Sequence, residues 1–214
     1  LFLSFTYANT RTQRDARQNP DFRTAELQVS QVSSRGRGCH PGSVSAQFAP
    51  DGSSFTILYD RLSVEAGRGR SPQAQVNCLV AIEIRRPMPY GFAIDSADFR
   101  GFVGLEEGVR GFHFSRVQSN SPGEASASGT EFAQQRWVGP INQNYLITSS
   151  SPIRGRQALH CAPGSNWNRL VITTNLKIDG ATQGKSGLIA VDSTDGQIAQ
   201  KFNLRWSSCL QRGR

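Results

Sequence analysis

Between Val44 and Leu58 apolar and polar residues alternate: Val44, Ala46 and Phe48 are separated by Ser45 and Gln47, and Phe55 and Ile57 by Thr56. A period of two is that of a strand with one buried face. In the break between the two runs, Pro50 presets the first central dihedral of a type I turn, Asp51 suits the second, and Gly52 tolerates the left-handed conformation that follows. The stretch therefore predicts a β-hairpin. Residues 76–85, VNCLVAIEIR, are nearly continuous in Val, Leu and Ile at their centre, as in a strand covered on both faces. Strands are also predicted over 90–94, 99–105, 111–117, 131–138, 145–148, 170–178, 188–192 and 202–206. Clusters of Gly, Pro, Ser and Asn punctuate them, and no window sustains a helical period. Roughly ten short strands with such turns predict an all-β protein with little helix, a two-layer antiparallel β-sandwich or jelly roll.

The ends of the chain read differently. LFLSFTYA at the start is apolar and closes on Thr6-Tyr7-Ala8, the pattern of the tail of a secretory signal peptide, so residues 1–8 are read as its remnant and Asn9 as the first residue after cleavage. Residues 9–38 form an Arg-rich polar leader broken by Ala25, Leu27 and Val29, which suggest one edge strand or a turn of helix. The compact domain is expected over 39–210, beginning near Cys39, with a basic tail at 211–214. After Ala8 no run approaches the roughly 20 apolar residues of a membrane helix. With 214 residues and twelve Phe, three Trp and four Tyr, the chain is long enough for one substantial core.

Four cysteines, Cys39, Cys78, Cys161 and Cys209, are scattered with no Cys-x-x-Cys spacing, which excludes a local zinc ribbon or dithiol motif and fits two disulfides made in an oxidising compartment. Four cysteines allow three pairings. In an up-down-up meander the starts of the first and third strands share one end of the sheet, so Cys39 can reach Cys78, whereas the same counting puts Cys161 and Cys209 at opposite ends. The connectivity stays open. The net charge is +8, and since only Lys177, Lys185 and Lys201 among 24 basic residues are Lys, the other 21 are Arg. Arginine presents a planar fork to carboxylate, sulfate or phosphate, so the excess favours an anionic glycan or another acidic envelope component as partner. The Arg residues are dispersed rather than striped, and nothing points to specific nucleic-acid recognition.

Cys39-x-Pro41-Gly42-Ser43-Val44, then Pro50-Asp51-Gly52 and Phe55, Asn77-Cys78, Tyr90-Gly91-Phe92, Asp98-Phe99-Arg100-Gly101-Phe102-Val103-x-Leu105 and Trp206-x-x-Cys209 follow one another in an order and spacing that resembles the secreted proteins of fungi and bacteria catalogued as domain of unknown function 4360. The resemblance runs from Cys39 to Cys209. It implies export, a β-rich disulfide-bonded domain and no established activity, and it brings no catalytic residues. Where Cys-Pro would be expected, Cys39-His40-Pro41 stands instead.

Candidate chemistry is sparse. His40 and His160 each neighbour a cysteine and are weak candidates for a metal pair with His113 as a third ligand; the ordinary alternative is two exposed histidines beside half-cystines. Asp95 and Asp98, Glu106 and Glu107, and Asp192 and Asp195 are carboxylate pairs of the kind a glycosidase needs across a cleft, but sequence spacing carries no such geometry. No nucleophile elbow, phosphate loop or calcium loop is present, and no cofactor is implied. Trp167 in a polar loop, with Arg169, Trp137, Arg136 and Tyr145, forms the candidate binding set, aromatic faces for sugars beside guanidinium groups for acidic substituents. Trp206, in the last strand, is expected in the core. The composite expectation is an exported, non-catalytic binding module for anionic glycan at the cell surface or in the extracellular matrix. The alternatives are a structural subunit assembling through its edge strands, and, behind it, a carbohydrate-active hydrolase.

Overall fold

The computed structural model describes residues 27–119, 129–150, 165–182, 184–191 and 200–209. Twelve strands are found among them: β1 (Gln28–Arg35), β2 (Val44–Phe48), β3 (Ser54–Tyr59), β4 (Ser63–Gly67), β5 (Ala74–Arg85), β6 (Tyr90–Leu105), β7 (Arg110–Ser119), β8 (Gly129–Val138), β9 (Ile141–Ser150), β10 (Trp167–Asp179), β11 (Ser186–Ala190) and β12 (Gln200–Ser208). They form two antiparallel sheets, one of five strands in the order β1-β5-β10-β7-β8, the other of seven in the order β2-β3-β12-β6-β11-β4, with β9 on the free side of β6. The protein is a two-layer, disulfide-bonded antiparallel β-sandwich.

The predicted hairpin forms as β2 and β3, with Val44 opposite Tyr59 and Phe48 opposite Phe55. Gly52 closes its turn at φ 66°, donating its N–H to the Ala49 carbonyl, and Asp51 accepts from the Ser53 amide and hydroxyl. Those hydrogen bonds hold the Asp51 carboxyl below its usual pKa. The Gly52 carbonyl in turn accepts the indole N–H of Trp206 at 2.9 Å, so Trp206 is buried and polar-satisfied, as its place in the last strand suggested.

Three expectations are corrected. Residues 90–94 and 99–105 are not two strands but one, the 16-residue β6. The polar residues between them stay extended because β12 skips Asp95, pairing Leu204 with Ile94 and Asn203 with Ser96; this bulge restores Ala97 and Phe99 to the buried face. The folded part also begins before Cys39: the edge strand expected around Leu27 and Val29 forms as β1 and pairs with β5 at the edge of the five-stranded sheet, so it belongs to the domain rather than to a leader. Finally, β4 has no counterpart in the predicted strands. Its sequence SVEAG has weak β-propensity, but Val64 and Ala66 are buried once β11 pairs beside it.

The core lies between the sheets. Phe202 on β12 is its hub, stacked on Phe55 at 4.8 Å between centroids, edge-on to Phe99, and edge-on to Phe132 from the opposite sheet. Cys39 and Cys78 are joined, both buried, tying the segment after β1 to β5. Cys209 is also disulfide-bonded.

Candidate functional site: the cationic aromatic face of the five-stranded sheet

Alternation along β7, RGFHFSRVQS, would on hydrophobicity alone bury Phe112 and Phe114 and expose His113 and Ser115. The structure does the reverse. His113 and Ser115 are buried, Phe112 and Phe114 are half-exposed, and Arg110 and Arg116 stand on the outer face with the two phenyl rings. A strand turned over in this way is tolerated only if the buried polar groups find partners. They do. His113 Nδ1 lies 3.2 Å from the Tyr145 hydroxyl of β9, and its Nε2 lies 3.0 Å from Ser115 Oγ. Ser115 Oγ meets Thr174 Oγ1 of β10 at 3.0 Å; Gln200 Nε2 donates to that same Thr174 oxygen, and the Tyr59 hydroxyl donates to Gln200 Oε1, each at 3.0 Å. The chain of hydrogen bonds crosses the core from β9 through β7 and β10 to β12 and β3. Among the described residues no buried side-chain nitrogen or oxygen is left without a partner.

Burial dominates the electrostatics of this chain. It lowers the His113 pKa to about 3, so the imidazole is neutral at ordinary pH, and it pushes the phenols of Tyr59 and Tyr145 well up.

With those groups inward, the outer face becomes a cationic and aromatic surface. Cross-strand register aligns Arg136 of β8, Phe112 of β7 and Lys177 of β10 in one row, and Gln134, Phe114 and Asn175 in the next. The Arg136 guanidinium carbon lies 5.6 Å from the centroid of the Phe112 ring, and the Phe112 and Phe114 rings are parallel to within 9°, with centroids 6.5 Å apart. A pocket of about 400 Å³ opens at the end of this row between Arg110, Phe112, Arg136, Val138, Lys177 and Asp179. Asp179 is its carboxylate, bound to Arg110 at 2.9 Å and 4.0 Å from Lys177. Three cations against one anion leave it net positive.

The candidate residues read from the sequence divide. Arg136 stands in this face. Arg169 and Trp167 share the same face of β10, exposed, but Trp167 is ten residues, about 34 Å of extended strand, from Lys177. Trp167 instead lies under Arg85, whose guanidinium carbon is 5.9 Å from its ring centroid. Trp137 and Tyr145 point the other way, packing on each other at 4.9 Å between the sheets. The five therefore do not converge. Phe112, Phe114, Arg110 and Lys177 escaped the sequence reading, although the spacing of RGFHFSR already set two Phe and two Arg on one face.

Among the other candidates, His40 is exposed and His113 is committed to the core chain, while Cys161, His160, Asp192 and Asp195 lie outside the described residues. No cluster of three metal-ligating side chains occurs among the described residues. Asp98 accepts a hydrogen bond from Thr148 at 2.8 Å, and Asp95 pairs with Arg205 at 3.3 Å with 65% of its side chain exposed. An exposed pair of this kind contributes little, so Asp95→Ala is expected to change the urea unfolding free energy by less than about 1 kcal/mol.

Fold and site together define a disulfide-bonded β-sandwich that displays a cationic, aromatic sheet face. The chain belongs to the family described as Domain of unknown function (DUF4360), whose model matches residues 25–209. It is 26% identical over 185 residues to an "Uncharacterized secreted protein" of Arthroderma benhamiae, covering 86% of this chain and 72% of that one. Among solved structures it is similar to TmCBM61 in complex with beta-1,4-galactotriose, at 15% identity and a TM-score of 0.24 over 89% of this chain and 96% of that chain. A second similar chain comes from work on the promiscuous specificity of carbohydrate-binding modules from the β-sandwich superfamily, at 8% identity and a TM-score of 0.27, covering 85% of this chain and 58% of that one.

Proposed function

We propose that this chain is an exported, non-catalytic module that binds anionic glycan at the cell surface or in the extracellular matrix through the outer face of its five-stranded sheet. The observation that carries the reading is the inverted strand β7, which spends two inward positions on His113 and Ser115 and turns Phe112 and Phe114 outward between Arg110 and Arg116. Half-exposed aromatic rings flanked by cations suit a ligand with C–H faces and acidic substituents: the rings take the apolar faces, and Arg136 and Lys177 take the carboxylate or sulfate oxygens. Buried disulfide cysteines support export, and so does the secreted description of the fungal relative.

The test is retention on immobilised dextran sulfate and polygalacturonate. The wild-type chain is expected to bind at low salt and elute as ionic strength rises, because exposed charge–charge attraction is screened over roughly 8–10 Å at physiological salt. Joint replacement Arg136→Glu and Lys177→Glu is expected to weaken binding at least about tenfold, and Phe112→Ala to weaken it with little change in salt dependence. Retention on neither polymer at low salt, or unaltered retention in the charge-reversed variant, would refute the assignment.

A further inference from the structure

We propose that the opposite, outer face of the seven-stranded sheet carries a second and separate site, a groove for a neutral oligosaccharide. The groove, about 600 Å³, runs over β4, β11, the C-terminal half of β6 and β9; its floor is the cross-strand row Leu188, Gly104, Asn142, with Glu65 opposite Leu188 at the rim. Phe102 stands two residues from Gly104 on the same face and leans over it: a Cβ added at Gly104 would come within 3.0 Å of Phe102 Cε1 and 3.5 Å of Asn142 Oδ1. The missing side chain makes room for a half-exposed aromatic ring on the sheet floor beside an exposed carboxamide. Such a ring receives the C–H face of a pyranose, and the carboxamide both donates to and accepts from its hydroxyls.

Charge selects the class of ligand. The rim holds two cations and two anions, paired with each other: Arg68 with Glu106, and Arg70 with Glu65. These pairs leave no net charge to attract an acidic substituent, in contrast to the cationic face on the other sheet, while their outward oxygens and N–H groups remain hydrogen-bonding partners for hydroxyls. The rim is also held in place. Glu106 accepts from the Ser186 amide as well as from Arg68, which keeps its carboxyl ionised below the usual range. Arg68 sits at φ 46° between Gly67 at 85° and Gly69 at 83°, a left-handed conformation that costs a non-glycine residue free energy. At Gly67 no side chain fits, because a Cβ would fall 1.9 Å from the Lys185 carbonyl oxygen.

Calorimetric titration of the whole chain with neutral gluco-, manno- and galacto-oligosaccharides tests the groove. At least one is expected to bind, with Phe102→Ala and, independently, Asn142→Ala weakening it about tenfold while the thermal midpoint of the Asn142 variant stays that of the wild type. Asn142 is an exposed residue, so its variant keeps the test readable if Phe102→Ala fails to fold. Absence of binding to all three series at millimolar concentration, or undiminished binding in the Asn142 variant, overturns the proposal. Phe102 and Asn142 lie on a different sheet from Phe112, Arg136 and Lys177, so loss of neutral-sugar binding in the Asn142 variant reads the groove alone, and each site stands or falls on its own variants.

Discussion

Replacing Cys39 and Cys78 together by alanine is expected to lower the thermal midpoint by roughly 8–16 °C, the shift that about 4 kcal/mol produces in a domain of this size. The crosslink spans 39 residues of sequence, and loss of loop-closure entropy from the unfolded chain at that separation is worth about 4 kcal/mol in the chain-entropy account. Both half-cystines are buried, one after the edge strand β1 and the other within β5, so the bond also fastens the segment leading out of an edge strand to the strand beside it. Against a total stability of roughly 5–15 kcal/mol this is a large share. Alanine rather than serine is the appropriate replacement, because a buried hydroxyl would add a desolvation cost of its own. Thermal unfolding followed by circular dichroism reads the effect. A midpoint unchanged in the double variant would mean that the crosslink constrains nothing the sheet does not already hold.

Acidification is expected to destabilise the fold well before its exposed carboxylates titrate. His113 is neutral and buried in the native state, with a pKa of about 3 against 6.5 in the open chain. Between those values the unfolded chain binds one more proton than the native one, so stability contributed by the neutral imidazole is complete above pH 6.5 and is lost as pH falls through it. The expected slope is about 1.4 kcal/mol per pH unit while only this group titrates. Asp51 and Glu106, whose pKa values are lowered by hydrogen bonds, add to the loss in the same direction at lower pH. Urea unfolding at a series of pH values isolates the imidazole between about pH 6.5 and 5, above the carboxylate range. A His113→Asn variant should be less stable at neutral pH, having broken a buried hydrogen-bond chain, yet nearly flat across that window. If the wild type were equally flat there, the imidazole would not be held neutral in the core.

How much of this was legible varied from strand to strand. The hairpin of β2 and β3, with its Pro-Asp-Gly turn, was readable because every determinant is local: two alternating runs and a turn whose dihedrals suit the residues present. Strand β4 was not, since SVEAG becomes a strand only when β11 supplies its hydrogen bonds. The binding set was half readable. The period places Arg136 within a predicted strand, while Trp167 and Arg169, expected in a loop, begin β10 instead, and grouping Trp137 and Tyr145 with them required knowing that both point into the core.

By itself, then, the sequence determined the all-β class, the Pro50-Asp51-Gly52 turn and the buried Trp206, because periodicity and turn chemistry act over a few residues; the Cys39–Cys78 link it allowed does form, but not through the single meander that strand counting assumes, since β2 and β3 lie in one sheet and β5 in the other. Only the tertiary structure decided which side of β7 faces outward. Along RGFHFSR both faces are chemically mixed, and hydrophobicity alone chooses wrongly; partners distant in sequence, Tyr145 and Thr174, satisfy His113 and Ser115 in the core and so release two phenyl rings to the surface.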